Sequence, residues 1–467
     1  MGNTLPLTAA PPAGTVLEFD RGSLLLWGIP AAATSPGGAP WQWDARVGAL
    51  RCQALHYPQV VRHLMHAGLP FLDHARAYQT LPAVQPDGQE AYPHQRAALA
   101  AWSRTRRGVV ELPTGAGKTR LALLAIAQAG RETLVLVPTL ELVTQWGQEI
   151  ERHLGLRPGL VGGGSFEWAP VTVCTYASAL RHAERYGNRF GLAVFDECHH
   201  LPGAGYARCA QVLIAPYRLG LSATLERADQ RHLLLEELVG PVVFRQSITA
   251  LSGSVLAPYQ VQVRYAELNA AERETYRQAR EAYLGFARAQ GIGLGGPHGW
   301  QRFLFAASHS AEGRAALRAH AQQKRLAFAP EAKFAVLAEL LHAHRGERVL
   351  VFTHENRTAH GISRRYLLPL ITHQTPVAER REILERFREG RWPTLVTSRV
   401  LNEGVDVPQA AVAIILSGSA SVREHVQRLG RILRKDGSKQ ALLYEVLTRH
   451  TTEEGTSDRR RQHDAYR

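Results

Sequence analysis

The stretch that constrains this chain most is Leu112-Pro113-Thr114-Gly115-Ala116-Gly117-Lys118-Thr119. The apolar run Val109-Val110-Glu111-Leu112 enters it and Arg120-Leu121-Ala122-Leu123-Leu124-Ala125-Ile126 leaves it, giving buried strand, glycine-rich turn and helix in that order. Such a turn aims backbone N–H groups at a polyphosphate, and the helix N-terminus adds the positive end of its dipole. Thr114, Gly115 and Gly117 supply the cradle, Lys118 reaches the outer phosphates, and the Thr119 hydroxyl is placed to hold Mg2+. The implied ligand is ATP or GTP. The lysine is informative because the chain holds fifty arginines and only five lysines; a compact ammonium fits between phosphates where a planar guanidinium does not. Leu112 stands where the full pattern has its first glycine.

The length of 467 residues allows two to four domains, each able to bury a core. Charge is uneven: of the net +14, residues 260–467 carry +11, from 33 basic and 22 acidic side chains. A localised basic excess points to a polyanion such as nucleic acid, against the alternative of a solvated arginine-rich surface. Cys52, Cys174, Cys198 and Cys209 show no C-x-x-C spacing, so neither a zinc site nor a disulfide framework is indicated, and a cytoplasmic location is expected. No apolar run approaches the roughly 20 residues of a membrane span, so no membrane partner is expected.

Residues 1–85 read as a separate small α+β unit. Val16–Phe19 and Ser23–Gly28 are two strands around Asp20-Arg21-Gly22, Tyr57–Gly68 is an amphipathic helix, and Leu81–Gly88 is the linker out. Trp41 and Trp43 are either core or a base-stacking pair. From Ala91 strands alternate with helices, which implies a parallel sheet covered on both faces. Gln95, upstream of the P-loop, is either an adenine-reading amide or a solvated one. Thr133–Val137 is the next strand, followed by Thr139 and a helix bearing Gln145 and Trp146; Leu192–Phe195 then delivers Asp196 and Glu197 at its C-terminal end, where ligands of such sheets sit.

These carboxylates divide labour with the P-loop: Asp196 to hold Mg2+, Glu197 to polarise the attacking water. Ser222-Ala223-Thr224, at another strand end, is suited to relay the state of the nucleotide. Residues 260–332 break the alternation and read as a helical insertion, with a long basic and aromatic helix over Ala270–Gln290 that is either a grip on DNA or a solvated spacer. A second alternating unit spans 333–467, with strands at Arg348–Thr353, Leu367–Thr372, Thr394–Thr397, Val412–Leu416 and Ala441–Leu447. It has no P-loop, but a helix over Val422–Lys435 carries Arg431 and Arg434 opposite an apolar stripe. The first unit lacks a further cation for the transition state, so these two are expected to act as arginine fingers across a cleft.

In order, Tyr92-Pro93-His94-Gln95, the P-loop, Pro138–Val143, Asp196-Glu197-Cys198-His199, Leu221–Thr224, Asn402–Pro408 and Gln427–Arg434 resemble the motifs of superfamily 2 helicases with two RecA-like domains. Arg218–Thr224, Ser417-Gly418-Ser419, Leu443–Val446 and Arg459–Arg461 narrow the resemblance to the XPB branch in its compact archaeal and bacterial form. The resemblance implies an ATP-dependent 3'-to-5' DNA helicase or translocase of nucleotide excision repair, acting on single-stranded, forked or damaged duplex DNA. It implies a damage-recognition domain at 1–85, a P-loop domain at 86–259, a thumb-like insertion at 260–332, a second RecA-like domain at 333–467, and a structure-specific nuclease as partner. By motif, Gln95 contacts adenine, Asp406 the ribose, Gly404 the nucleotide, Arg431 and Arg434 the γ-phosphate, and Thr139, Thr397 and Arg227 the nucleic acid. Arg227-Ala228-Asp229 stands where XPB-like chains commonly show Arg-Glu-Asp, which leaves strand separation less determined than hydrolysis. Three alternatives remain at this point: a duplex translocase or motor subunit of a restriction or defence complex that does not unwind, an RNA helicase, and a damage-binding scaffold with a vestigial motor.

Overall fold

The computed structural model describes residues 14–29, 36–87, 90–203, 205–225, 230–253, 255–295, 298–398, 410–417 and 441–461. The chain forms two compact units, 1–246 and 247–467.

The first unit opens with a five-stranded sheet in the order β3-β4-β2-β1-β5, made of β1 (Val16–Asp20), β2 (Ser23–Trp27), β3 (Gln42–Asp44), β4 (Ala49–Gln53) and β5 (Leu72–Asp73), with α1 (Tyr57–His66) packed on it. The β1–β2 hairpin turns through Arg21 and Gly22, both at positive φ. Leu17, Leu24, Leu26, Leu50, Val60 and Leu64 fill the core, and Trp41 packs against it, whereas Trp43 is 45% exposed at the β3 edge.

The chain then builds α2 (Pro93–Thr105), β6 (Arg107–Glu111), α3 (Lys118–Ala129), β7 (Thr133–Val137), α4 (Leu140–Leu154), β8 (Gly159–Gly162), β9 (Ser165–Phe166), β10 (Val171–Thr175), α5 (Tyr176–Tyr186), β11 (Leu192–Asp196), α6 (Ala207–Gln211), β12 (Tyr217–Ser222), α7 (Leu234–Leu238) and β13 (Val242–Arg245). The strand order is β13-β6-β12-β11-β7-β10-β8-β9, and every pairing but β8–β9 is parallel. Strands β7, β10 and β11 are buried at every position, as their largely apolar sequences suit strands covered on both faces. The P-loop and Thr139 follow β6 and β7, and Asp196 and Ser222 end β11 and β12, so four neighbouring strands deliver them to one edge of the sheet.

The second unit holds α8 (Ile248–Leu251), β14 (Tyr259–Ala266), α9 (Ala270–Ala289), α10 (Gly299–Ser308), α11 (Ala311–Phe328), α12 (Glu331–Ala343), β15 (Val349–Phe352), α13 (Asn356–Tyr366), β16 (Leu370–Ile371), α14 (Val377–Arg388), β17 (Thr394–Thr397), β18 (Val412–Ile415), β19 (Ala441–Thr448) and α15 (Thr452–Arg461). Its parallel sheet runs β14-β19-β18-β15-β17-β16. Two expectations change here. The segment beginning at 260 is not helical throughout: β14 pairs with β19 along eight residues before the helices start. The strand expected over Leu367–Thr372 shrinks to Leu370–Ile371, because Leu367 takes a left-handed φ of 52° that caps α13. The three-helix excursion α9–α11 is tied back to the sheet: the Thr448 hydroxyl donates to the Ala327 carbonyl at 2.6 Å, and the Tyr276 hydroxyl accepts the Thr452 N–H at 3.0 Å.

Candidate active site

Gly115 (φ 87°) and Gly117 (φ 79°) adopt the left-handed backbone that lets the P-loop curl before α3, with Gly117 as its cap. Gln95 lies against this turn and is only 1% exposed. Its side-chain oxygen accepts the Tyr92 N–H at 3.0 Å and its amide donates to the Gly117 carbonyl at 3.1 Å, so it joins the cap of α2 to the P-loop. His94 adds a 2.8 Å contact between its Nε2 and the Ala116 carbonyl. The loop is thus held from outside by two consecutive side chains. Thr114 Oγ1 is buried without a hydrogen-bond partner among the described residues, which fits a polyphosphate contact not made by the protein itself.

Lys118 donates to the Leu112 carbonyl at 3.3 Å and stands 3.7 Å from Glu197 Oε1. Glu197 follows β11 in a left-handed conformation (φ 46°), which is costly for a residue with a Cβ and concentrates at functional positions. Its Oε2 is 3.4 Å from His199 Nδ1. That nitrogen is also 2.9 Å from Ser222 Oγ. The Ser222 hydroxyl gives its own proton to the Thr224 carbonyl at 2.7 Å, so the proton between the two belongs to Nδ1. Glu197, just after β11, and the Ser222–Thr224 turn at the end of β12 are joined through one buried histidine.

Asp196 is 6% exposed. The Glu197 N–H donates to its Oδ1 at 3.0 Å, the Trp146 indole N–H to its Oδ2 at 2.8 Å, and the Tyr176 hydroxyl to its carbonyl at 3.0 Å. Burial, then the neighbouring Glu197 charge, pushes its pKa up to about 6, against the opposing pull of Lys118. A buried carboxylate in this state has a strong need of a further cation, and each oxygen keeps a lone pair beyond the donors named. The Thr119 hydroxyl, in the first turn of α3, is the second oxygen donor expected there. The donor set is hard and oxygen-only, which suits Mg2+.

Thr139 caps α4, its hydroxyl accepting the Leu142 N–H at a long 3.4 Å. Thr397 is fully buried at the end of β17 and donates to the Ser398 carbonyl, so contact with nucleic acid would require its side chain to leave the core. Arg227, Gly404, Asp406, Arg431 and Arg434 lie outside the described residues. Reading the sequence missed the supporting roles of His94, Tyr176 and Trp146. The available signal was an indole placed on the buried stripe of α4, since a buried N–H demands an acceptor.

Comparison with known proteins decides the family. The profile for the xeroderma pigmentosum group B helicase damage recognition domain matches residues 17–75, that for the type III restriction enzyme res subunit 89–227, and that for the helicase conserved C-terminal domain 332–436. Over 446 residues, 96% of this chain and 99% of the relative, the sequence is 38% identical to the DNA 3'-5' translocase XPB2 of Sulfurisphaera tokodaii. The chain belongs to the XPB helicase family. Another XPB relative, the DNA 3'-5' helicase XPB of Mycobacterium tuberculosis, is 30% identical over 378 residues, covering 78% of this chain and 61% of that protein. The chain therefore spans nearly all of the archaeal relative and about three fifths of the mycobacterial one. Two solved helicases at 18% identity share the fold of two RecA-like domains: the Pyrococcus furiosus Hef helicase domain (TM-score 0.56, covering 80% of this chain and 99% of that one) and Saccharomyces cerevisiae Dbp5 bound to RNA and ADP BeF3 (TM-score 0.57, covering 81% and 89%). Among the described residues, no helix of this XPB-family chain is long and apolar enough to cross a membrane.

Proposed function

We propose that this chain is an ATP-driven 3'-to-5' DNA translocase that opens DNA during nucleotide excision repair. The observation that carries the reading is the pairing of Lys118 with Glu197 across the P-loop, with Asp196 buried beside them. All three groups of a phosphoryl-transfer site converge there, and a vestigial motor would not be expected to retain them. The damage-recognition match at 17–75 supports repair over restriction, and the relative spanned over 99% of its length, a DNA translocase by name, supports DNA over RNA.

Thr114, Gly115, Gly117, Lys118 and Thr119 bind the triphosphate, and Asp196 with Thr119 holds Mg2+, which neutralises charge developing on the phosphates. In the pairing described, Lys118 and Glu197 occupy each other. A γ-phosphate draws the ammonium to itself and leaves the Glu197 carboxylate to accept the proton of the attacking water. Gln95 is assigned to the adenine side through its hold on the P-loop, and Gly404 and Asp406 to the ribose. Arg431 and Arg434 close on the γ-phosphate, while Thr139, Arg227 and, once exposed, Thr397 meet the DNA. A cytoplasmic site of action and a structure-specific nuclease as partner complete the reading, since no residue assigned here would cut DNA.

The test is steady-state ATP hydrolysis with single-stranded, duplex and forked DNA, beside RNA. Hydrolysis should rise with DNA and not with RNA, and Glu197→Gln should lower the stimulated rate by roughly 10^2- to 10^4-fold, the span of general-base catalysis. Hydrolysis that DNA leaves unchanged would defeat the motor reading.

A further inference from the structure

We propose that Trp146 is a positioning residue for Asp196, and that helix α4 makes this positioning respond to nucleic acid at Thr139. The inference rests on the assignment of Asp196 to Mg2+ and Thr139 to DNA given above.

The two oxygens of Asp196 are held by different parts of the fold. Oδ1 takes the N–H of Glu197, which belongs to the same turn and moves with β11; Oδ2 takes the indole N–H of Trp146, which belongs to α4. The rotation of the carboxylate about its own bond, and so the direction of its remaining lone pairs, is therefore set by where α4 stands relative to β11. A buried indole N–H needs an acceptor wherever it sits, and the one it finds here is a carboxylate oxygen on another element. Trp146 is 1% exposed, and phenylalanine would fill much of the same space without a polar atom to satisfy.

Helix α4 is suited to carry a displacement. Thr139 caps it and Trp146 lies seven residues on, two turns and about 10 Å along the same face. Val143, Trp146, Gly147, Ile150 and Leu154 form its buried stripe. At Gly147 an added Cβ would sit 3.1 Å from the Leu160 side chain, so the helix lies close on β8 at that point. In its cap bond the Thr139 hydroxyl accepts, at a long 3.4 Å, so it can donate its own proton to a phosphate oxygen. One rigid element thus has a nucleic-acid contact at its end and a hydrogen bond to the metal-holding carboxylate two turns in. Partners of this kind that orient a ligand typically contribute 10- to 100-fold in metal affinity.

The experiment measures the affinity for a fluorescent ADP with and without Mg2+, with and without DNA, on the full chain and on Trp146→Phe, with thermal melting as the check on folding. In the unmodified protein DNA should change the gain in ADP affinity that Mg2+ confers. In Trp146→Phe the Mg2+-free affinity should stay as it was, the Mg2+-dependent gain should fall about 10-fold, and DNA should no longer alter it. A folded Trp146→Phe protein with an unchanged Mg2+ gain reduces Trp146 to core packing and overturns the proposal. A Mg2+ gain insensitive to DNA in the unmodified protein overturns the coupling even if the variant does not fold. Asp196→Asn serves as the separate control: if it keeps the full Mg2+ gain, the assignment of the site itself fails, and this inference with it.

Discussion

Asp196 puts a carboxylate where burial and a neighbouring acid both oppose its charge, and stability therefore depends on its protonation. With its pKa moved from 3.8 to about 6, the native chain retains a proton across that interval which the unfolded chain has released. Its contribution is most favourable on the acid side and is lost as pH rises through 6. Asp196→Asn should remove that slope. Above pH 7 and without metal, the variant should be more stable by about 1 to 3 kcal/mol, while ATP hydrolysis falls at least 100-fold. Melting curves from pH 4 to 8 check this, and an unaltered slope would show that the charge is compensated elsewhere. Gln95 illustrates what sequence could and could not give at this scale. Its position before the P-loop was legible, but its bonds to the Tyr92 N–H and the Gly117 carbonyl arise only when α2 folds against the turn.

At the scale of elements, apolar runs at the central strands announced themselves, and so did the glycine turn. Strand β14 was less plain: Tyr259–Ala266 alternates apolar with polar residues as a half-exposed strand does, but the partner that makes it part of a sheet, β19, lies some 180 residues away in sequence. The docking of α15 was equally hidden. Lys333, wholly buried at the start of α12, donates to the Leu416 carbonyl and to Glu453 Oε2, each at 2.6 Å, and the same Glu453 oxygen accepts the Thr448 N–H at 2.9 Å. A lysine 83 residues from one acceptor and 120 from the other carries no local signature. Removing one partner leaves a buried charge, so Glu453→Ala should cost about 3 to 5 kcal/mol in denaturant unfolding of the second unit. Lys333→Met combined with Glu453→Leu should recover most of that loss. A double variant as unstable as the single one would show that the geometry, rather than the uncompensated charge, sets the cost.

At the scale of the whole molecule, the N-terminal sheet and the P-loop sheet are one body, although the sequence reads as two domains with a linker. Ile214, from the loop before β12, is buried in the N-terminal core with Leu17, Leu24 and Leu64, and Leu55 is buried in return among the residues of the second sheet. Gly187 has no side chain where one would meet the Phe19 ring at 2.5 Å. The connecting segment is laced down as well: the Gln79 carbonyl accepts the Glu132 N–H, the Leu81 N–H reaches the Gly130 carbonyl, and the Arg131 guanidinium lies 5.5 Å from the Tyr78 ring and 3.9 Å from that of Tyr217. Arg218, fully buried at the next position, spends its guanidinium on the carbonyls of Ala210, Leu213, Ala215 and Leu238, which fixes the loop that presents Ile214. Cooperative unfolding of the two sheets is the consequence. Ile214→Ala should cost about 2 to 5 kcal/mol. Hydrogen exchange should then speed up by the same factor in β1 and β2 as in β6 and β12, because a shared core opens as one event. Faster exchange confined to β1–β5 would mean that the N-terminal sheet opens alone and is joined to the P-loop sheet only through the covalent chain.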